Sequence, residues 1–304
     1  MSPNLSERRG SMSVRSKNQL AVDAWRERLT MVETSAGALA VLDEGSGEPV
    51  VMLHGIPTHS YLWRDVARIV TVSRRAIAPD LLGFGFSDKP EDADLSPMGQ
   101  ADAIDELLDG LGIESYALVG HDYGALVACE LLARNPQRVS HLVVTNTSLQ
   151  RTAWTSTSPL NPLSWLKAPF IGEAAMTVAQ PFMLKQAFSV YVAERERLSD
   201  ETMALYWSPF DSGFDRTLLR LPRNNRLDED AFHRWKVALY EYKQPGFVVW
   251  GALDPTFRLN QAHEIVNLMP DCRFEVFKHS NHFIQEDRPQ ALGRLVAAFV
   301  EGHY

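Results

Sequence analysis

Residues Leu118-Val119-Gly120-His121-Asp122-Tyr123-Gly124-Ala125 run from an apolar strand through Gly-X-Asp-X-Gly into a helical pattern. This is the form of a nucleophile elbow, with aspartate where serine usually stands. Such a turn is sharp, and a side chain at Gly120 or Gly124 would collide with neighbouring backbone. It lifts the central residue to the top of a sheet, where the N-terminus of the following helix stabilises negative charge. An ordinary strand-turn-helix with Asp122 as its N-cap satisfies the same eight residues, since aspartate is a favoured cap.

Other stretches choose between these readings. Upstream, the apolar run 50–53 leads into His54-Gly55-Ile56-Pro57, which places the backbone N–H of Ile56 as one donor to an oxyanion. The N–H of Tyr123 is the second. Downstream, the run 247–250 ends in Gly251-Ala252-Leu253-Asp254, and 273–277 leads to His279-Ser280-Asn281-His282-Phe283. The chain order nucleophile, acid, histidine is then Asp122, Asp254, His282. All three stand past the carboxyl ends of strands, where convergent sites form in open α/β sheets.

Strand patterns at 38–43, 50–53, 75–78, 116–119, 141–145, 247–250 and 273–277 alternate with helical patterns at 61–70, 97–111, 123–134, 260–268 and 288–300. That alternation predicts a mostly parallel sheet flanked by crossover helices. It stops over 148–241, a stretch rich in Trp, Phe, Met, Pro and Leu without a buried-strand pattern. A helical cap inserted over the carboxyl ends of the strands explains the break, and an independent helical domain or dimerisation surface is the alternative. The expected division is a flexible Ser-rich leader at 1–22, a core of 23–147 and 242–304, and a cap of 148–241.

Composition narrows the class. With 38 acidic and 30 basic residues the net charge is -8, which speaks against a nucleic-acid partner. There is no apolar run of membrane-spanning length and no secretory h-region after Arg8, Arg9 and Arg15, so a cytoplasmic protein with no membrane partner is expected. Cys129 and Cys272 lack metal-ligand spacing and read as two reduced, buried thiols, and the histidines show no zinc spacing. Gly83 and Gly85 share part of a dinucleotide fingerprint, but they do not open a helix. No cofactor or metal is expected, and the partners reduce to a small-molecule substrate and water, in a monomer or homodimer.

His54 to Arg64 (HGIPTHSYLWR), Pro79 to Pro90 (PDLLGFGFSDKP), the Asp122 elbow and Asn281 to Pro289 together resemble the haloalkane dehalogenase and epoxide hydrolase branch of the α/β-hydrolases. The resemblance covers nearly the whole chain after the leader, and Pro209 to Arg223 is similar to the tail of a dehalogenase cap. It implies an α/β-hydrolase fold, a mostly parallel central sheet with flanking helices and a helical cap. It also implies a hydrolase in which Asp122 forms a covalent ester that His282, supported by Asp254, hydrolyses.

Three departures bear on the leaving group. Tyr123 stands where dehalogenases of this branch generally place a halide-holding Trp, and Ile56 stands where many place a donor Asn. Asn146 occupies the alternative acid position, which leaves Asp254 as the acid. Loss of a preorganised donor in a dry site costs about 3 kcal/mol. Epoxide hydrolysis on a small or medium apolar substrate is therefore expected ahead of dehalogenation. An ester or lactone hydrolase and a non-catalytic ligand-binding protein are the further alternatives.

Tyr191, Tyr206, Tyr240 and Tyr242 are candidate proton donors for an epoxide alkoxide, each with a packing role as its plainer reading. His279 is the rival base to His282, while His54 and His121 read as organisers of loop hydrogen bonds. Trp154, Trp165, Trp207, Phe170, Phe182 and Phe188 read as the core of the cap, some of them lining its pocket.

Overall fold

The computed structural model describes residues 17–155, 166–178, 181–224 and 227–303. Eight strands, β1 Leu29–Val32, β2 Leu39–Gly45, β3 Pro49–Leu53, β4 Arg75–Pro79, β5 Tyr116–His121, β6 Val139–Thr145, β7 Gly246–Gly251 and β8 Cys272–Phe277, form one sheet. Its order is β1-β2-β4-β3-β5-β6-β7-β8. Pairings from β4 through β8 are parallel, whereas β1 pairs antiparallel with β2 and β2 antiparallel with β4.

The central strands β5 and β7 are buried along their whole length, which explains their continuous apolar runs. The edge strand β8 alternates, with Arg273 and Glu275 on its solvent side. Period-two alternation divides the apolar side chains between two helical layers. Val51, Leu53, Leu118, Val144 and Val248 face α3 Pro97–Gly110, α4 Tyr123–Arg134 and, later in the chain, α10 Glu229–Glu241 and α11 Leu259–Leu268. Val50, Met52, Val119, Val143 and Val249 face α1 (residues 17–26), α2 Arg64–Val70 and α13 Pro289–Val300.

Two expected boundaries shift. Residues 17–22 belong to α1, whose Val22 and Trp25 lie one helical turn apart and are buried in the layer with α2, so the leader expectation overruns there. Residues 1–16 lie outside the described residues. The cap was expected to reach 241, yet α10 is a core crossover helix. Its Phe232, Trp235 and Leu239 enter the same layer as α4, and Trp235 Nε1 donates to Glu130 Oε2 on α4 at 2.7 Å. A parallel connection from β6 to β7 needs such a helix on the sheet face.

The remaining helices are α5 Arg151–Thr155, α6 Ile171–Thr177, α7 Pro181–Tyr191, α8 Asp200–Trp207, α9 Phe214–Asn224 and the short α12 Ile284–Asp287. Phe188 of α7 is fully buried, while Trp154 and Trp207 are half-buried, the latter stacked on Phe210 at 4.5 Å. Phe170 and Phe182, expected in the cap's core, face outward at 87% and 65% exposure. Trp165 lies outside the described residues. Cys129 is a buried free thiol and Cys272 a half-buried one, so the two form no disulfide. Among the described residues no helix is long and apolar enough to cross a membrane.

Candidate active site

Asp122 sits between β5 and α4 with φ 53° and ψ -119°, a strained conformation for a non-glycine residue. The turn is tight because α4 starts immediately. A Cβ on Gly120 would lie 2.6 Å from Ala125 Cα, and one on Gly124 would lie 2.4 Å from the carbonyl oxygens of Leu53 and His54. The Thr147 hydroxyl donates to the Asp122 carbonyl at 2.7 Å, fixing the elbow from the β6 side.

Two backbone N–H groups hold the Asp122 carboxylate. Ile56 N donates to Oδ1 at 2.7 Å, and the Tyr123 N–H also reaches the carboxylate. Oδ2 is directed toward His282, whose Nε2 stands 3.9 Å away. On the other side of the ring, His282 Nδ1 is 2.8 Å from Asp254 Oδ2. Asp254 Oδ1 accepts from the backbone N–H groups of Thr256 and Phe257 at 2.8 and 3.0 Å. Asp122, Asp254 and His282 are thus brought together, each below a tenth exposed.

Burial raises Asp122 to about 6, against the opposing pull of His282 and the two backbone donors. Burial also acts to raise Asp254, but the neighbouring imidazole, the hydrogen bonds from His282 and Phe257, and Asn146 outweigh it and leave this carboxyl below its ordinary value. For His282 burial acts downward, and the Asp254 and Asp122 carboxylates overcome it, leaving the imidazole above its ordinary value. The result is a carboxylate that is mainly ionised at neutral pH beside an imidazole buttressed by a second, more acidic carboxylate.

Asn146 is a residue whose part the sequence did not disclose. It follows β6 at φ 31°, is fully buried, and donates through Nδ2 to Asp254 Oδ2 at 2.7 Å while its Oδ1 accepts from Gly251 N at 2.9 Å. It therefore occupies the alternative acid position as a support for the acid in use. A single asparagine past a strand carries no signal for this, because the partnership depends on the β6–β7 pairing.

The other candidates separate clearly. Tyr123 is fully buried and its hydroxyl donates to the Leu95 carbonyl at 2.5 Å, so the side chain is already engaged away from the carboxylate and contributes only its backbone. Tyr206 donates to Glu286 Oε1 at 2.5 Å and Tyr242 to the Val139 carbonyl at 3.1 Å, both as buried packing residues outside the triad. Tyr240 is 65% exposed on the outer side of α10. Those three are corrected as proton donors.

Tyr191, at the end of α7, is the cap tyrosine the structure brings to the site. Its ring meets His282 edge-on at 5.7 Å, and its hydroxyl is 3.4 Å from Thr256 Oγ1. His279 is exposed, whereas the imidazole of His282 faces Asp122. His54 accepts from Leu81 N at Nε2, 2.9 Å, and so donates from Nδ1 to the Gly55 carbonyl; burial lowers it to about 4. His121 is likewise held far below its ordinary value by burial and by the neighbouring His282 and His54. Both stay neutral; His54 organises its loop, and His121 bonds Thr145 of β6 through Nδ1 at 3.2 Å.

Comparison with known proteins identifies the family. The alpha/beta hydrolase fold family matches residues 48–289. The chain is 29% identical over 286 residues to a cis-3-alkyl-4-alkyloxetan-2-one decarboxylase of Xanthomonas campestris pv. campestris, covering 87% of this chain and 92% of the relative. It is 29% identical over 282 residues to a haloalkane dehalogenase of Mesorhizobium japonicum, covering 89% and 88%. The crystal structure of haloalkane dehalogenase DbeA from Bradyrhizobium elkani superposes with a TM-score of 0.79 at 30% identity, covering 90% of this chain and 97% of that one.

The chain belongs to the α/β-hydrolase family and is a hydrolase. Within it, the chain is related to the haloalkane dehalogenases.

Proposed function

We propose that the protein opens a carbon–heteroatom bond at an sp³ carbon through a covalent ester on Asp122, and that the group it displaces is an oxygen anion, an epoxide being the simplest case. Asp122 Oδ2 attacks, the C–X bond breaks, and the electron pair leaves with X. Aspartate suits this step because it is ionised without help from a base. The imidazole is then free to take a proton from water as that water adds to the ester carbonyl, with the oxyanion held by the N–H groups of Ile56 and Tyr123. Collapse of the adduct returns Asp122 and releases an alcohol.

The observation that carries the leaving-group reading is the engagement of Tyr123 with Leu95. With its hydroxyl committed and Ile56 apolar, neither side chain expected beside a departing halide has a donor to give. An alkoxide is neutralised instead by a proton, and Tyr191 beside His282 supports that role. Haloalkane hydrolysis is the second reading, favoured by the similarity to named haloalkane dehalogenases.

A panel of 1,2-epoxyhexane, 1-bromohexane, 1-chlorohexane and a cis-3,4-dialkyloxetan-2-one, the last chosen because a relative acts on that class, tests the assignment. Diol formation with little chloride release is expected. Efficient chloride release would overturn the oxygen reading in favour of the halide. Under the oxygen reading Tyr191→Phe slows epoxide opening by about 10² or more, the usual scale for a lost general acid, and leaves bromide release unchanged.

A further inference from the structure

The loop that carries His282 is hydrogen-bonded to the cap as well as to the core. Helix α7 ends at Tyr191, so its last carbonyls have no partner within the helix. Two of them are taken by the histidine loop: Asn281 Nδ2 donates to the Val190 carbonyl at 2.8 Å and Phe283 N to the Tyr191 carbonyl at 3.1 Å. Asn281 Oδ1 accepts from His282 N at 2.8 Å, so both flanking residues of the base are tied to the cap helix.

Asp287 closes the arrangement. It is 3% exposed, its Oδ2 accepts from Asn281 N at 2.6 Å, and its Oδ1 accepts from Ala193 N and Glu194 N at 2.8 and 3.0 Å. One carboxylate thus joins the histidine loop to the chain leaving α7. It touches neither Asp122 nor Asp254.

We infer that Asp287 and Asn281 are positioning residues that make the seating of cap helix α7 set the rate of the second, hydrolytic step. The inference rests on the covalent-ester reading above. Alkylation depends on Asp122, whose carboxylate is held by N–H groups of the core at Ile56 and Tyr123. Ester hydrolysis depends on His282 Nε2 holding water against the ester carbon. A displacement of about 1 Å at such a step costs on the order of 10²-fold. Loosening the loop therefore slows the second step while sparing the first.

The test is rapid-quench intact-mass spectrometry with 1-bromohexane and with 1,2-epoxyhexane on four variants. Asp287→Asn keeps the size of the side chain but turns an amide NH₂ toward N–H donors. Asn281→Ala removes the tie to Val190 and serves equally where Asp287→Asn folds poorly. Arg288→Ala breaks the partly exposed Arg288–Glu194 ion pair between the same two segments, and a long 3.5 Å bond to the Asp287 carbonyl, but leaves the Asp287 carboxylate and its three N–H donors in place. His282→Gln reports whether the ester forms at all.

Accumulated adduct in His282→Gln and in Asp287→Asn or Asn281→Ala is expected, with hydrolysis slowed about tenfold or more, alkylation within about threefold of the parent, and none accumulating in Arg288→Ala. Adduct in His282→Gln without accumulation in the folded loop variants overturns the inference and leaves the covalent reading standing. Equal slowing of both steps, or accumulation in Arg288→Ala as well, also overturns it. Absence of adduct in His282→Gln with both probes removes the covalent reading, and this inference with it.

Discussion

Burial lifts Asp122 to about 6, yet the same side chain must be ionised to attack, and this sets the acid limb of the first step. Alkylation is lost as pH falls through about 6. His282 is raised above its ordinary value, Asp254 being one of its causes, and a raised base is protonated and useless below that pKa. In the ester Asp122 carries no charge, and Asp254 is the carboxylate that still raises His282 against its burial. Hydrolysis of a preformed adduct therefore slows as pH falls and the imidazole is protonated, and an unchanged hydrolysis rate from pH 8 to 5 in quench experiments would contradict the assignment.

Tyr123→Phe tests the demotion of that hydroxyl. It leaves the Leu95 carbonyl without its donor, a loss of about 1–3 kcal/mol in stability, while the rate of adduct formation stays within a factor of about two. A large fall in alkylation would restore Tyr123 to the chemistry. The triad was legible because Asp122, Asp254 and His282 each follow a strand at a turn with its own signature. The choice among four tyrosines was not, because it turns on which cap helix meets the histidine loop, and nothing local distinguishes Tyr191 from Tyr206.

Among the elements, the seam between cap and core runs through Glu286 of α12. Its fully buried side chain forms a bidentate pair with Arg64 at the start of α2, 2.5 and 2.8 Å, and accepts the Tyr206 hydroxyl of α8. Glu286→Gln removes the charge and leaves Arg64 uncompensated, a loss of about 3–5 kcal/mol. A clear fall in the thermal midpoint is expected, whereas an unchanged midpoint would show that the seam is not a stabilising contact. The core strands were readable because fully buried parallel strands need continuous apolar runs. The short antiparallel β1, with its two central residues exposed, has no such run. Helix α10 shows the other limit, since Phe232, Trp235 and Leu239 give the same helical spacing whether they pack on a cap or on α4.

At the scale of the whole molecule, the sheet brings Asp122, Asp254 and His282 together from three strand ends, and the cap brings Tyr191 and the anchorage of the histidine loop. The same fold carries relatives named for haloalkanes and for oxetanones, so the fold alone does not choose the substrate. The claim on which all of this rests is that Asp122 becomes covalently alkylated. The direct measurement is peptide mapping of His282→Gln after incubation with 1,2-epoxyhexane or 1-bromohexane. The alkyl or hydroxyalkyl group is expected on the peptide bearing Asp122, and it should vanish when Asp122→Asn is added. Turnover of either probe by His282→Gln without an adduct, or an adduct on any other residue, would contradict the account.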